Sequence, residues 1–319
     1  MMKRGLLIAL AAVVLAGGGW AFVSTWTEIA AVGEGVRHAL WTLPLLIAVH
    51  LVQLLLSSIA WHALFRTAEP GIALCFRLRL IREGIDSLFP VAQIGGEVVA
   101  ARMMTRQGFA ASAAGASVIV DVSLEILAQA VFLLAGVGVL AFLGGGDRST
   151  QWFGSLILAA IVAGGVLLAQ RFGLLRLLEG LVDRIGGRFP DLAHLSLAGL
   201  HAAAGVFYRR GGALLRATLL HTLSWALGTL ETWIVFQALG VPASLPQALV
   251  VESLGMAART AGFAIPGALA VQEGGFALAA LAVGLPESAG LALSLVKRAR
   301  EVLVGVAGVG LAWLGGGFR

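Results

Sequence analysis

Residues 40–60, LWTLPLLIAVHLVQLLLSSIA, decide the fold class because they form an almost unbroken apolar run. About 20 apolar residues in a helix are enough to cross the ~30 Å hydrocarbon core of a bilayer. Runs of similar character recur at residues 6–23, 152–170 and 302–314. The repetition predicts an all-α polytopic membrane protein.

The composition of the whole chain supports this class. Of the 319 residues, 59% are hydrophobic and 12% are charged, and the mean hydropathy is +0.94, which excludes an ordinary soluble domain. The net charge of +5 could suggest nucleic acid, but the basic residues lie in short stretches beside apolar runs. No nucleic-acid-reading module accompanies them, so we expect no nucleic-acid partner.

The sequence gives no sign of metal or cofactor chemistry. Cys75 is the single cysteine, which excludes an internal disulfide. The six histidines show no metal-ligand spacing. They are His38, His50, His62, His194, His201 and His221. Because no nucleophile motif or nucleotide-binding loop is found either, we expect no cofactor and no enzyme activity.

Six full crossings are predicted, near residues 5–25, 40–64, 110–144, 152–171, 213–239 and 288–315. The first could also be a signal peptide, but its long apolar run without a small-residue cleavage site favours a retained helix. Residues 72–109 carry too many charges for a full crossing, and residues 244–285 are broken by prolines and glycines. We interpret both as re-entrant broken helices shielded by protein, because unpaired backbone groups cannot face hydrocarbon.

Basic residues predict the orientation in the membrane. Lys3 and Arg4 precede the first crossing, residues 66–106 follow the second, and residues 171–210 follow the fourth. These three basic stretches fall on one side, which the excess of Lys and Arg identifies as cytoplasmic. Both termini are therefore predicted to lie inside. Residues 171–210 are predicted to form a cytoplasmic amphipathic linker in the headgroup region.

An internal repeat appears when the chain is shifted by 176 positions, from Pro90 to Pro266. The other coinciding pairs are Glu97 and Glu273, Glu125 and Glu301, Asp121 and Lys297, and Glu83 and Arg259. Each copy has the order helix, broken segment, helix, over about residues 40–144 and 213–319. Three crossings separate the two starts, which predicts the inverted repeats of secondary transporters. Chance coincidence is the alternative, because identity between the copies is low.

Charges inside the predicted crossings form a candidate network, namely Asp121, Glu125, Lys297, Arg298, Arg300 and Glu301. Each ion at a helix centre costs about 2.5–3.5 kcal/mol, so the charges are expected to pair. A pseudo-twofold axis would place Asp121 opposite Lys297, with the neighbouring arginines available to the two glutamates. The network either locks the helices together or exchanges protons during transport. Glu231 and Glu252 are weaker candidates, expected to hydrogen-bond between helices.

The broken segments carry the predicted substrate-binding residues, which are Arg79, Arg82, Glu83, Pro90, Gly95, Gly96, Glu97, Pro266, Gly267, Glu273 and Gly274. Glycines permit tight turns, and the start of a half-helix offers free N–H groups and positive potential to an anion. Arg79 and Arg82 are expected to attract a phosphate or polyol headgroup. Simple turn and cap roles are the alternative.

Residues 82–90, REGIDSLFP, together with Gly95-Gly96-Glu97, Pro266-Gly267 and Glu273-Gly274-Gly275, carry a resemblance to a known family. The chain resembles the lysylphosphatidylglycerol synthase transmembrane-region family, whose members are often called flippase-like. Within it, the chain is most similar to the hopanoid-biosynthesis-associated HpnL-type proteins. The resemblance implies a bacterial inner-membrane protein that moves lipids or glycolipids between leaflets. We do not expect it to make lysyl-lipid, because the aminoacyl-transfer domain of the bifunctional relatives is not found.

The leading hypothesis is therefore a lipid translocase. A polar or anionic headgroup, of a hopanoid or a glycolipid, would enter a cavity between the repeats while its tails stay in the bilayer. One alternative is a membrane enzyme acting on a lipid headgroup, with Glu97 or Glu273 as general acid or base. Another is a non-catalytic partner that holds lipid-biosynthesis enzymes at the membrane.

Overall fold

Helices account for all the regular structure in the computed structural model, which describes residues 26–65, 70–89, 95–143, 197–262, 268 and 270–315. The helices are α1 (Trp26–Ala39), α2 (Leu43–Ala63), α3 (Ile72–Leu88), α4 (Gly95–Arg106), α5 (Ala111–Leu143), α6 (Leu197–Tyr208), α7 (Gly211–Ala238), α8 (Leu245–Ala261), α9 (Val271–Ala282) and α10 (Glu287–Leu314). A short 3-10 turn, Leu40–Thr42, joins α1 to α2. The prediction of an all-helical chain is confirmed for these residues.

Two helical stretches, Val32–Ala63 and Ala111–Leu143, have the length and apolar composition needed to cross a bilayer. Their mean hydropathies are 2.1 and 2.5, and only 33% of each apolar window is buried inside the molecule. Most of each surface therefore faces outward, unlike a core helix of a soluble protein. Helices α7 and α10 occupy the positions of two further predicted crossings. The crossings predicted at residues 5–25 and 152–171 lie outside the described residues.

Each charged or glycine-rich segment contains two helices with a break between them, α3 and α4 in the first and α8 and α9 in the second. Helix α3 ends at Leu88, and the next residue, Phe89, is extended, with a φ of −108° and a ψ of 139°. Proline disfavours helical geometry in the residue before it, so Pro90 explains this end. Before α9, Ala268 and Ala270 adopt left-handed φ values of 48° and 64°. Such values are strained for a residue with a side chain.

Helix bounds recur at the offset seen in the sequence. Helix α4 spans residues 95–106 and α9 spans 271–282, so both ends are 176 residues apart, and α5 and α10 begin 176 apart at residues 111 and 287. Packing recurs as well, because α3 packs against α10 while its counterpart α8 packs against α5. Helices α2 and α7 pack against each other. When each helix is replaced by its counterpart in the other half, every one of these packed pairs corresponds to a packed pair.

The similarity in packing between the two halves also includes a helix that precedes each predicted copy of the repeat. Helix α1 packs against α10, and α6 packs against the corresponding helix α5. Helix α6 buries Leu200 and Phe207 in the apolar core. The final part of the predicted surface linker, residues 197–208, therefore belongs to the helical bundle, because its apolar side chains have a helix to pack against. The earlier part of that linker lies outside the described residues.

The start of α8 is fixed by a capping box. Ser244 Oγ accepts a hydrogen bond from the Gln247 backbone N–H, and Gln247 Oε1 accepts one from the Ser244 backbone N–H at 2.9 Å. We expect Ser244→Ala to lower the free energy of unfolding by about 1 kcal/mol, because a helix N–H loses its acceptor. Unfolding in mixed detergent micelles measures the change. Ser244→Gly should cost only a few tenths of a kcal/mol, and equal losses would contradict this role.

Candidate functional site

A polar cavity of about 260 Å³ lies inside the bundle, between helices of both halves. Its charged lining includes Arg79, Arg82, Glu97, Glu231, Arg259 and Arg300. Charged side chains are rarely buried unless they are paired, and they are rarer still within apolar helices. Their concentration here, in a chain with 12% charged residues, marks the cavity as the candidate site.

The first group of charges, the Asp121 cluster, consists of Arg79, Arg82, Glu97, Asp121, Glu125 and His221. Asp121 is fully buried on α5 and accepts hydrogen bonds from Arg79 Nη1 at 2.5 Å and Arg82 Nη1 at 2.8 Å. Its other oxygen lies 3.0 Å from His221 Nε2 on α7. The two arginines are three residues apart and so share one face of α3. This face therefore presents two guanidinium groups to one carboxylate.

The same arginines hold the two outer carboxylates of the Asp121 cluster. Arg79 Nη2 lies 2.5 Å from Glu125 Oε1, and Arg82 Nη2 lies 3.1 Å from Glu97 Oε1. Glu97 stands in the first turn of α4, so its ion pair links the two helices of the first broken segment. Arg79 and Arg82 are each 5% exposed, and their guanidinium groups already have carboxylate partners. A phosphate headgroup would have to displace one of them.

The second group, the Glu231 cluster, consists of Glu231, Glu252, Lys297 and Arg300. Glu231 is fully buried on α7, and Arg300 Nη1 donates to its two oxygens at 2.8 and 2.7 Å. Lys297 Nζ donates to both oxygens of Glu252 on α8 at 2.7 Å and lies 3.3 Å from Glu231 Oε2. Three helices of the second half are thereby joined through buried ion pairs.

Two further ion pairs surround the Glu231 cluster. Arg259 Nη1 on α8 donates to Glu301 Oε1 on α10 at 2.6 Å. Arg298 Nη2 lies 2.7 Å from Glu273 Oε1, which stands in the first turn of α9. Glu273 in the second half is thus bound to an arginine, as Glu97 is in the first. The two arginines are not equivalent, because Arg298 belongs to the helix after Glu273 and Arg82 to the helix before Glu97.

Helices α2 and α7 are joined by uncharged hydrogen bonds at the cavity wall. Gln53 Nε2 donates to the Ser224 carbonyl oxygen at 3.0 Å, and Ser224 Oγ donates to the Gln53 carbonyl oxygen at 2.9 Å. Ser57 Oγ donates to Ser224 Oγ at 3.1 Å. On the same face of α2, His50 Nε2 lies 2.9 Å from Glu83 Oε1 of α3. His50 therefore connects the α2–α7 contact to the charged clusters.

The predicted pairing of Asp121 with Lys297 is wrong. Asp121 is bound by Arg79, Arg82 and His221, whereas Lys297 is bound by Glu231 and Glu252. The physical reason is the packing of the helices. Helix α5 packs against α7 and α8, and α10 packs against α3 and α9, so equivalent residues of the two halves meet different neighbours. Each charge is neutralised by a helix it contacts, not by its counterpart in the repeat.

The other predicted partners are partly correct. Glu301 lies 3.7 Å from Arg300, as expected, but its shorter contact is with Arg259. Glu125 is bound by α3 and not by an arginine of α10.

The glycines of the first broken segment serve packing in this structure. A Cβ atom at Gly96 would lie 2.6 Å from the Arg82 Cα atom, so only glycine lets α4 approach α3 this closely. The Gly96 N–H donates to Asp86 Oδ1 at 2.9 Å, which satisfies one donor expected to bind an anion. Gly95 begins α4, and a Cβ atom at Gly274 would meet nothing within 4 Å. Pro90, Pro266 and Gly267 lie outside the described residues.

Several functional candidates were missed or underrated by the sequence reasoning. Glu231 and Glu252 are central ion-pair partners, although they were expected only to hydrogen-bond between helices. His50 and His221 each lie beside a carboxylate from another helix. The spacing of the histidines along the chain, which was examined for metal ligands, cannot show such contacts. The available signal was the cost of an unpaired ion in an apolar helix. A buried lysine on α10 needs a carboxylate elsewhere, and isolated glutamates in apolar helices are the residues to examine first.

The charges on the cavity wall nearly cancel. Five cationic side chains, Arg79, Arg82, Arg259, Lys297 and Arg300, face six carboxylates, Glu83, Asp86, Glu97, Glu125, Glu231 and Glu252, with His50 beside them. The wall therefore offers hydrogen-bond donors and acceptors without a strong positive potential. Such a surface suits a headgroup that carries hydroxyl groups or charges of both signs. Among the described residues, no group of His, Cys, Asp or Glu could hold a metal ion.

Comparison with known proteins identifies the family. A family model described as the lysylphosphatidylglycerol synthase TM region matches residues 5–308, which is nearly the whole chain. No curated protein and no solved structure is significantly similar to the chain. The matched family is a transmembrane one, which together with the apolar helices places the chain in a membrane, and it indicates a protein that acts on lipids. The chain, with its charged cavity inside an apolar bundle, therefore belongs to the lysylphosphatidylglycerol synthase transmembrane-region family.

Proposed function

We propose that this protein is a lipid translocase that moves a lipid with a polar headgroup between the leaflets of the bacterial inner membrane. The observation that carries the proposal is the cavity lined by charged side chains, in a bundle that exposes many large apolar side chains. A headgroup crossing the bilayer needs polar partners in place of water, while its acyl or polycyclic tail can remain in lipid. The cavity supplies such partners between helices of both halves.

Exposure separates two kinds of charged group around the cavity. The side chains of Glu97 and Glu125 are 21% and 28% exposed, whereas Asp121 and Glu231 are fully buried. The more exposed carboxylates are the groups that a headgroup would meet. The buried ones hold the arginines in place. We therefore assign headgroup contact to the outer groups and positioning to the inner ones.

The proposed transport cycle uses the two similar halves. In this proposal they are inverted repeats within six full crossings, both termini are cytoplasmic, and the pairs α3–α4 and α8–α9 are re-entrant. The matching helix bounds and the exchange of packed pairs support this arrangement. Rocking of α3 against α10 and of α8 against α5 would open the cavity first to one leaflet and then to the other.

A neutral or polyhydroxylated headgroup fits the cavity better than a simple anion, because Arg79 and Arg82, the two arginines of α3 that line it, are already bound to carboxylates. A glycolipid or a functionalised hopanoid has such a headgroup. This substrate class is part of the proposal. The hopanoid-associated HpnL-type assignment within the family is part of the same proposal.

Replacing Glu97 by glutamine tests the headgroup role. The purified protein is reconstituted into vesicles that contain a fluorescent glycolipid, and a membrane-impermeant quencher reports the arrival of the probe in the outer leaflet. We expect the unaltered protein to accelerate this movement and Glu97→Gln to slow it on the order of tenfold, equivalent to about 1.4 kcal/mol. The isosteric change removes the carboxylate charge that a headgroup would meet, 3.1 Å from Arg82, and leaves no cavity, while Asp121 still holds Arg82 at 2.8 Å.

Glu34→Gln on α1 is the matched control, because Glu34 is exposed and distant in sequence from the cavity-lining residues. It should leave the transport rate unchanged. If vesicles with the unaltered protein are no faster than protein-free vesicles, the translocase proposal is wrong. Turnover of the headgroup by protein in detergent would instead favour a membrane enzyme, since an enzyme needs no sealed bilayer.

A further inference from the structure

We propose that His50 binds the proton that couples lipid movement to a proton gradient, an inference that rests on the translocase function proposed above. The histidine is buried on α2 at the wall of the cavity, where residues of α3, α7 and α10 surround its ring. The arrangement of hydrogen-bonding partners around its two ring nitrogens carries the inference.

One ring nitrogen faces a donor and an acceptor at the same time. His50 Nδ1 lies 2.7 Å from Arg300 Nη1 and 2.8 Å from Gln53 Oε1. Arginine can only donate a hydrogen bond, and an amide oxygen can only accept one. Gln53 cannot exchange its oxygen and nitrogen without loss, because its Nε2 donates to the Ser224 carbonyl oxygen. No single protonation state of the ring therefore satisfies both neighbours of Nδ1.

Two protonation states satisfy them in turn. In the neutral ring, Nδ1 accepts from Arg300 and the single proton on Nε2 is donated to Glu83, 2.9 Å away. When a proton from water binds Nδ1, that N–H donates to Gln53, Nε2–H still donates to Glu83, and Arg300 must move away from the ring. Arg300 then keeps its bonds to Glu231. The step adds one proton and breaks no covalent bond.

The surrounding charges oppose one another. From α3, Glu83 Oε1 lies 2.9 Å from Nε2, and from α7, Glu231 Oε1 lies 3.8 Å from Nδ1, so two carboxylates face the ring. From α10, Arg300 Nη1 lies 2.7 Å from Nδ1, and Lys297 Nζ lies 3.3 Å from Glu231 Oε2. Arg259 of α8 lines the same cavity and is a further cation. Histidine is the side chain whose charge normally changes between pH 5 and 8. A headgroup that contacts one of the charged groups around the ring can therefore change the protonation of His50.

Proton binding to His50 changes the contacts between the two halves of the protein. The bonds among Gln53, Ser57 and Ser224 join α2 to α7 in both protonation states. The bond between His50 and Arg300 joins α2 to α10 only while the ring is neutral. Helix α10 also packs against α2, so the lost bond weakens this contact between the halves. Protonation thus weakens one interface and preserves another, as alternating access requires.

The protonation step is tested directly by NMR of the full-length protein in lipid nanodiscs with ¹⁵N-labelled histidine. The signal absent from His50→Gln identifies His50. We expect this signal to show a bare Nδ1 and a protonated Nε2 at high pH, and two protonated nitrogens after acidification between pH 8 and 5. A ring that stays in one state throughout this range overturns the proposal.

The coupling is tested in vesicles that contain a fluorescent glycolipid and an internal pH-sensitive dye. A gradient of one pH unit is worth about 1.4 kcal/mol per proton, so coupling of one proton to one lipid allows accumulation of about tenfold. We expect the unaltered protein to accumulate the probe lipid in one leaflet under the gradient while the dye records proton movement. His50→Gln, which keeps a donor toward Glu83, should abolish the accumulation and the proton movement.

His38→Gln is the matched control, because His38 is exposed and its ring contacts only the backbone of its own helix among the described residues. It should behave like the unaltered protein. If the unaltered protein moves lipid at the same rate and to the same distribution with and without the gradient, the coupling proposal is wrong and the translocase function is retained. If no lipid moves at all, the translocase function is wrong and the coupling falls with it. The gradient test of the unaltered protein needs no variant, so it remains decisive even when His50→Gln does not fold.

Discussion

Replacing Glu231 by glutamine should lower the free energy of unfolding by about 3–5 kcal/mol, the usual cost of removing one member of a buried ion pair. Glu231 is fully buried, with Arg300 Nη1 2.7 Å and Lys297 Nζ 3.3 Å from Oε2. Glutamine keeps the shape, so no cavity forms and the loss is electrostatic. Without the carboxylate, two cations remain in an apolar helix with too little negative charge beside them. Reversible unfolding in mixed detergent micelles measures the change.

Two comparisons show whether the loss comes from the unpaired charge. Glu34→Gln makes the same chemical change at an exposed position and should have almost no effect. The double variant Glu231→Gln with Arg300→Met removes both charges of the pair, while Lys297 keeps Glu252 and Glu301 keeps Arg259. It should recover more than half of the lost stability, because a pair replaced by neutral groups leaves no uncompensated ion. A loss below 1 kcal/mol for the single change, or no recovery, would show that the pair is not the source.

Replacing Gly308 by alanine should lower the free energy of unfolding by about 1–3 kcal/mol, because the added methyl group overpacks the contact between α3 and α10. The two helix backbones touch here. A Cβ atom at Gly308 would strike the Leu80 carbonyl oxygen, and one at Gly84 would lie 2.6 Å from the Gly305 carbonyl oxygen. Small residues at such positions allow helices to pack closely within a membrane. Transport should fall too, since the displaced α10 carries Lys297 and Arg300.

Gly310→Ala is the matched control, since Gly310 lies on the same helix, is exposed, and has no atom within 4 Å of an added Cβ. The same substitution should there raise stability by about 0.5–1 kcal/mol, the helix preference of alanine over glycine. Thermal unfolding followed by tryptophan fluorescence compares the two variants. If Gly308→Ala raises stability as Gly310→Ala does, helix preference alone decides the outcome and the close contact of α3 and α10 is wrong.

Much of the helical order followed from local chemistry in the chain. The apolar runs at residues 40–64 and 110–144 correspond to α2 and α5, because a continuous apolar stretch can satisfy its backbone within a membrane only as a helix. The break after Phe89 was visible too, since proline acts on the residue directly before it. The 176-residue offset also matches the bounds of α4 and α9 and the starts of α5 and α10. The ends of these helices depend mainly on residues that are neighbours in the sequence.

The sequence indicated which charged residues belong to the candidate site, but it did not indicate which of them contact one another. Charges in apolar helices identified Asp121, Glu125, Lys297 and Arg300 as members of a network, because an unpaired ion there is costly. We expected an anion to bind at the backbone N–H groups of Gly95 and Gly96. In the structure, the Gly96 N–H donates its hydrogen bond to Asp86 instead. That carboxylate is ten residues away in sequence and reaches the amide only because α3 and α4 fold against each other.

The sequence by itself determined that the chain is a helical membrane protein, where its broken segments lie, and that its scarce charges must be paired. Only the tertiary structure decided which groups pair. Lys297 could have met any of several carboxylates, and the choice of Glu231 and Glu252 over Asp121 depends on which helices touch. That choice is set by close packing at Gly84 and Gly308 and by the hydrogen bonds between α2 and α7. Ion pairing needs only opposite charges within a few ångströms, so it follows the geometry of packing and cannot be derived from spacing along the chain.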